Sequence, residues 1–442
     1  MCQSEAQAKT EIVGLIDVVI LGAGISGLVA ASELLKGADK RMLLIDNYPK
    51  LGGNHIDVGI GPYTFDVGSL IFQDDSPLLK HFPELLPLYI PIDATWSRLN
   101  PQGRVTAYPI SIKDDVLRPG PIEWVRMLTS IAFARVFHRR LRNAYDFARF
   151  WMGARLLRRS GLERYMARFF GASPRRVELK FAQKRMLWIK EHASFSSPIF
   201  RRKSRRPATP PNRQLARPRE GFDVLYQPAR EKLEKMGARF ILGAEVSAIS
   251  KIDDMLVVRT AAGEFRTKRL ISTFPITMTR ALCGWTTPTH LRSVTLLSLF
   301  YSFKGDRGFV SSVLYNFSYD ASWKRLTVYS DFYGMSNGRE FFAVEVIADF
   351  VGGAVRLADR DFRNHTRQNK LLNGDLQLEG SFTLANAYPL YLDGADALAG
   401  SAIRELADFG IESIGRQGRF DYQPTARDTT LKAERAVRGI YE

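Results

Sequence analysis

This sequence predicts an α/β fold built on a parallel sheet, and three observations point to it. The run Asp17–Gly27 reads Asp-Val-Val-Ile-Leu-Gly-Ala-Gly-Ile-Ser-Gly, an apolar strand passing straight into a glycine turn and a helix. A second apolar strand, Met42–Ile45, follows that helix and ends in Asp46. The chain has 442 residues, 45% of them hydrophobic. That exceeds one ordinary core, so two domains are expected, drawn from discontinuous segments.

The first strand is Val18–Leu21 and the helix runs from about Ser26 to Leu35, stopping at Gly37. Gly22, Gly24 and Gly27 have the G-x-G-x-x-G spacing of a dinucleotide site. Gly22 allows the tight turn, Gly24 lets a pyrophosphate approach the backbone, and Gly27 lets the helix pack on the strand. Ile25 and Ser26 sit at the helix N-terminus, where free amides face the phosphates. Asp46 lies about twenty residues on, where an acid binds the ribose hydroxyls, and Asn47 follows it.

Next come Leu51-Gly52-Gly53-Asn54 and Gly-Ile-Gly-Pro-Tyr-Thr-Phe-Asp (Gly59–Asp66), leading to Val67-Gly68-Ser69. This resembles the flavoprotein superfamily of amine oxidases, protoporphyrinogen oxidases, phytoene desaturases and UDP-galactopyranose mutases. The resemblance implies FAD, with Gly52, Gly53 and Asn54 against the dinucleotide and Val67, Gly68 and Ser69 bringing backbone to the isoalloxazine.

Residues 97–110 read as a hairpin turning at Pro101–Gly103, and residues 121–170 read as helical. Pro121 suits a first turn, and Ile122, Val125, Leu128 and Ala132 share one helix face. Gly171–Phe181 and Ala182–His192 are expected to form a further helix pair. Ser196–Arg219, rich in Pro, Ser and Arg, is expected to be a loop or lid.

Glu220–Tyr226 leads into a helix expected over Pro228–Met236. Strands follow at Ala238–Leu242, Glu245–Ile252, Leu256–Arg259 and Arg269–Thr273. In the resembling family a β-meander and a Ser-Thr-x-Pro strand end occupy this place, here Ile271-Ser-Thr-Phe-Pro275, and Val246 contacts the cofactor. Short strands expected between 291 and 350 form an antiparallel substrate sheet. Ala385–Tyr391 matches a segment that lines the mutase substrate cleft, which assigns Tyr388 and Tyr391 to that cleft. The other reading of both tyrosines is a half-buried edge strand. A helix is expected over Ala395–Phe409, capped by Gly410. The end, Gly415-Arg416-Gln-Gly418-Arg-Phe420-Asp-Tyr422 with Asp428 opening a last helix, resembles the family's C-terminal segment. That implies Arg416 and Asp428 as cofactor ligands.

The expected architecture is therefore a Rossmann-type FAD-binding domain, a parallel sheet plus β-meander, with an inserted helical and antiparallel-sheet substrate domain. The FAD domain takes residues 14–75, 215–285 and 405–442. A basic helical lobe takes 76–214 and the substrate sheet 286–404.

The net charge is +17. Residues 118–170 carry twelve Arg against three acids, and residues 199–219 seven Arg and one Lys with none. These two stretches hold the whole excess and point to an anionic partner: a phosphorylated small-molecule substrate or an anionic membrane surface. No nucleic-acid-binding motif accompanies the charge. Two cysteines and a polar first eleven residues predict a reducing, cytoplasmic setting, with contact at the inner membrane face. Six scattered histidines suggest no metal site. The resemblance implies an FAD-dependent oxidoreductase-type enzyme of mutase-like architecture, acting on a nucleotide sugar or glycan precursor. It leaves open a true mutase, in which reduced flavin contracts a sugar ring without net redox, and oxidase-like dehydrogenation. A flavin-binding, membrane-associated partner without catalysis is the third possibility. Against the mutase, relatives carry a histidine in the flavin loop, where this chain has Gly68-Ser69-Leu70.

Overall fold

The computed structural model describes residues 12–37, 40–68, 70–186, 189 and 213–439. Strand β1 (Ile12–Leu21) lies at the heart of a seven-stranded sheet. Val18–Leu21 are buried on both faces, as an unbroken apolar run in a parallel strand requires. β1 pairs in parallel with β2 (Met42–Asp46) on one side and β13 (Gly263–Ser272) on the other. β10 (Ala238–Leu242) extends the sheet beyond β2, and β19 (Ile411–Ser413) joins β13, both in parallel. From β13 the sheet continues antiparallel through β12 (Met255–Thr260) to β11 (Val246–Ile252), the expected meander. Helix α1 (Ile25–Leu35), the helix Phe222–Lys235 and the last helix, Ala426–Val437, bury their apolar sides on one face. The helix Ala395–Phe409 covers the other, ending at left-handed Gly410.

The second sheet has the order β18 (Leu372–Pro389), β14 (Ser293–Arg307), β17 (Glu340–Ile347), β16 (Trp323–Val328), β15 (Val313–Asn316), β7 (Trp96–Leu99) and β8 (Val105–Ala107). All its pairs are antiparallel except β7 with β15. The helix Val355–Gln368 packs Phe362 on one face. The hairpin of β3 (Asp57–Ile60) and β4 (Tyr63–Asp66) lies on the other, with Phe65 stacked 4.8 Å from Phe300. That stack brings the loop after β4 to the second sheet.

Several expectations are corrected. The hairpin at 97–110 forms, but its parallel pairing with β15 puts it in the second sheet, not in a helical lobe bounded at 76–214. Gly171–Glu178 is not helical: Gly171 ends the preceding helix in the left-handed conformation, and a helix resumes only over Leu179–Arg185. Residues 190–212, most of the expected lid, lie outside the described residues. Gln214–Ala216 is a strand, β9, held between β5 (Phe72–Gln73) and β6 (Ile90–Ile92). The helix expected from Pro228 starts at Phe222 and carries Pro228 inside it.

The three helices α3 (Pro121–Phe137), α4 (Ala144–Arg159) and α5 (Leu162–Phe170) occupy the expected stretch. The face shared by Ile122, Val125 and Leu128, however, is exposed; α3 buries Met127 and Ala134 instead. α3 crosses α4 at Gly153, where a Cβ would come within 2.8 Å of the Ile131 amide nitrogen. Among the described residues Glu33, His81 and Glu434 could together hold an ion. Glu33 is already paired with Lys36 and Arg438, and His81 bridges Ser32 and Glu434, so this group is occupied as a structural network.

Candidate functional site

The glycine turn is built almost wholly of backbone. Gly22, at φ +105°, donates its amide to Ile45 O at 2.7 Å. Ala23 donates to Asp46 Oδ2 at 2.7 Å, and Tyr48 donates to Asp46 Oδ1 at 2.9 Å. Asp46 is therefore no solvated strand end: it is 6% exposed, and burial pushes its carboxyl up against the pull of those two amides. Asn47 stays exposed beside it. Gly27 has the expected role, since a Cβ there would stand 2.0 Å from Gly22 O.

Gly24 plays a wider part than the sequence predicts. Its missing Cβ would point at Gly53 Cα, 3.3 Å away, and a Cβ on Gly53 would meet Gly24 Cα at 2.9 Å. Gly52 donates its amide to Ala23 O at 3.0 Å. The double glycine is thus pressed against the first turn, and the three glycines permit that contact. On the other side, a Cβ on Gly415 would lie 2.6 Å from Ser26 Oγ. Ile25 and Ser26, at the start of α1, are buried in this junction. Three distant segments meet here as bare backbone.

One carbonyl ties them together. Ala387 O accepts from Asn54 Nδ2 at 2.8 Å and from Arg416 Nη2 at 3.1 Å. Arg416 is half-buried, and no carboxylate lies within ion-pair distance of it among the described residues. Burial holds its guanidinium below the usual range. His55 accepts from or donates to Tyr226 Oη at 2.6 Å through Nδ1. Burial, and then the nearby Arg416 charge, push its pKa down to about 3, so it is neutral.

The loop after β4 is fixed from the second sheet. The Tyr329 hydroxyl shares its one hydrogen between Asp66 O at 2.9 Å and Gly68 O at 2.7 Å. Arg217 Nε reaches Asp66 Oδ1 at 2.5 Å, with both side chains buried. Burial pushes the Asp66 carboxyl up to about 6 despite Arg217. Val67 is buried and Gly68 has φ +118°; Ser69 lies outside the described residues. Arg217 and Tyr329 were missed by the sequence reading. Arg217 sits in a basic run that looks solvated, and nothing in the sequence near Tyr329 marks its distant carbonyl partners.

The two predicted tyrosines differ. Tyr388 Oη donates to Phe169 O at 3.1 Å and accepts from Lys324 Nζ at 3.2 Å. Lys324 and Arg325 both pair with Glu345, which their charges hold below its usual range in spite of burial. Tyr391 stacks 4.2 Å from Phe181, and its hydroxyl is buried with no hydrogen-bond partner among the described residues. Val246 opens β11 and is buried in the core on the face covered by the helix Ala395–Phe409. Asp428 does not open the last helix: Thr425 is the N-cap, Ala426 the first residue, and the Asp428 carboxylate accepts from Thr425 Oγ1 at 2.5 Å.

An anionic dinucleotide fits this junction. Helix α1 has Gly24 at its N-cap, with no side chain capping its amides, and among the described residues the Arg416 guanidinium has no carboxylate partner and the buried Tyr391 hydroxyl no hydrogen-bond partner. The model of an NAD(P)-binding Rossmann-like domain family matches residues 20–84. No curated protein matches the chain by sequence. Among solved structures, reduced UDP-galactopyranose mutase superposes with a TM-score of 0.75 at 18% identity, over 96% of this chain and 95% of that one. A proposed protoporphyrinogen oxidase from Exiguobacterium sp. 255-15 gives 0.71 at 15% identity, over 97% and 99%. Cyclohexylamine oxidase from Brevibacterium oxydans IH-35A gives 0.64 at 12% identity, over 97% and 99%. The chain therefore has the fold these oxidases share with the mutase: a Rossmann-like parallel sheet joined to a second, mainly antiparallel one.

Proposed function

We propose that this chain is an FAD-dependent enzyme of UDP-galactopyranose mutase-like architecture that acts on an anionic small molecule, a nucleotide sugar or glycan precursor. The observation that carries the reading is Arg416, a half-buried cation without a carboxylate partner among the described residues, set where the glycine turn, the end of β18 and the C-terminal turn meet. The amides at the start of α1, from Gly24 to Gly27, would hold the pyrophosphate, those of Gly22 and Ala23 being engaged by Ile45 O and Asp46. Asp46 would take the ribose, because each carboxylate oxygen keeps a lone pair after accepting its amide. Gly52–Asn54 and Val67–Gly68 would flank the ring system, with Arg416 facing its negative charge. When bound, flavin supplies hydride transfer or, in its reduced form, a nucleophilic nitrogen. Tyr391, whose buried hydroxyl has no hydrogen-bond partner among the described residues, and Tyr388, anchored by Lys324 and Phe169, would shape the substrate wall beside Arg416. Oxidase-like dehydrogenation is the second reading, favoured by Gly68-Ser69-Leu70 standing where mutases carry a histidine.

An absorbance spectrum of the purified protein tests the cofactor, and loss of the flavin bands with dithionite tests its redox activity. The reduced protein is then given UDP-galactopyranose, and interconversion is followed by chromatography. A colourless protein that takes up no FAD overturns the reading. Oxygen consumption with an amine, without sugar interconversion, transfers the function to the second.

A further inference from the structure

Helix α3 turns its apolar residues to water. Ile122 is 71% exposed, Leu128 58% and Phe137 68%, with Val125 and Phe133 exposed beside them. The turn before it adds Ile112 and Leu117, also exposed. An exposed apolar stripe of this length marks an interaction surface. It is also bordered by cations. Arg118 precedes the helix, Arg126 lies on it, and Arg139 and Arg140 follow it, all exposed. At its N-terminal end Arg104, Arg118 and Arg159 line a cavity of about 250 Å³ with Asn100, Gln102 and Asp114. Three guanidiniums there face one carboxylate, which Arg118 already engages at 3.4 Å.

We propose that α3 and the cavity beside it form a peripheral membrane-docking surface for anionic lipid bilayers. α3 lies in the interfacial plane with its apolar side toward the acyl chains, and the arginines meet lipid phosphates. Charge complementarity selects this occupant, since a second copy would bring two arginine rims together. The chain docks through this surface without crossing: no helix among the described residues is long and apolar enough to span a membrane. Seventeen residues interrupted by Arg126 and Arg135 make α3 an interfacial helix.

The test is co-sedimentation of the full chain with phosphatidylglycerol–phosphatidylcholine vesicles and with phosphatidylcholine alone, at low and high salt. The wild type is expected to bind the anionic vesicles, with affinity falling at least about tenfold as salt rises. Val125→Asp with Leu128→Asp should reduce that binding at least about tenfold, because apolar burial is lost. Arg118→Ser with Arg126→Ser should weaken binding to anionic vesicles only. Flavin content and circular dichroism should stay unchanged in both variants, whose altered side chains are exposed. The proposal is overturned by absence of binding at low salt, by equal binding to neutral vesicles, or by variants that bind like the wild type. A dimer in sedimentation that Val125→Asp with Leu128→Asp dissociates would also overturn it, since a second copy would then cover the face.

Discussion

Replacing Arg416 separates a cofactor ligand from a structural arginine by the sign of two effects. Its guanidinium donates to one carbonyl, Ala387 O at 3.1 Å. A hydrogen bond from a charged donor contributes about 1.5–3 kcal/mol, but desolvating a cation that has no carboxylate partner among the described residues offsets most of that. Arg416→Met keeps the packing of the stem and removes the charge. The flavin-free protein should therefore unfold within about 1 kcal/mol of wild type, or be more stable. FAD binding should respond in the opposite direction. Losing one or two charge-assisted bonds, roughly 3 kcal/mol, weakens binding roughly 150-fold. Arg416→Lys keeps the charge without the planar fork and should fall between the two. The assay strips flavin from all three proteins, titrates FAD back by fluorescence quenching, and measures denaturant unfolding of each flavin-free form. Equal FAD affinities with a destabilised flavin-free protein would refute the reasoning and leave Arg416 as a clamp on the Ala387 carbonyl.

Asp46→Ala removes the acceptor of two buried amides, Ala23 and Tyr48. It should lower stability by about 1–3 kcal/mol and weaken FAD binding; an unchanged denaturant midpoint and affinity would contradict both roles. Glu345→Gln leaves buried Lys324 and half-buried Arg325 without their counter-charge, and unfolding measurements should show a loss of about 3–5 kcal/mol. His55 has a folded pKa of about 3 against 6.5 unfolded. Below pH 6.5 the unfolded chain takes a proton that the folded chain refuses, so stability falls as pH drops from 6.5 toward 3. His55→Gln should flatten that slope by one proton, read from denaturant midpoints across the window.

Much of the fold was legible because its signals are local. Val18–Leu21, the G-x-G-x-x-G spacing and Asp46 define one βαβ unit within thirty or so residues, and Ala395–Phe409 is bounded by the glycine that ends it. The strands of the meander were legible as local apolar runs, while their arrangement as a meander was implied by the family resemblance. The helix Val355–Gln368 and the long strand β18 went unread, although that helix packs Phe362 against the sheet. At the site, the glycines were legible, but the direction of Gly24 was not. Its contact with Gly53 depends on how the second loop folds back.

The sequence by itself determined the parallel core and the turn that can face a dinucleotide. Both follow from residue types at fixed short spacings, where backbone geometry leaves few choices, whereas the return of the C-terminal segment was legible only through its resemblance to a known family. Only the tertiary structure decided what each charge and each apolar face does. Arg217, inside a basic run, became the buried partner of Asp66, 151 residues away. Lys324 and Arg325 were drawn to Glu345 across a sheet. The apolar side of α3 was left facing solvent. Periodicity states that a face is apolar, and composition that a segment is charged. Whether that face is covered, or that charge is paired, depends on which distant segment folds against it.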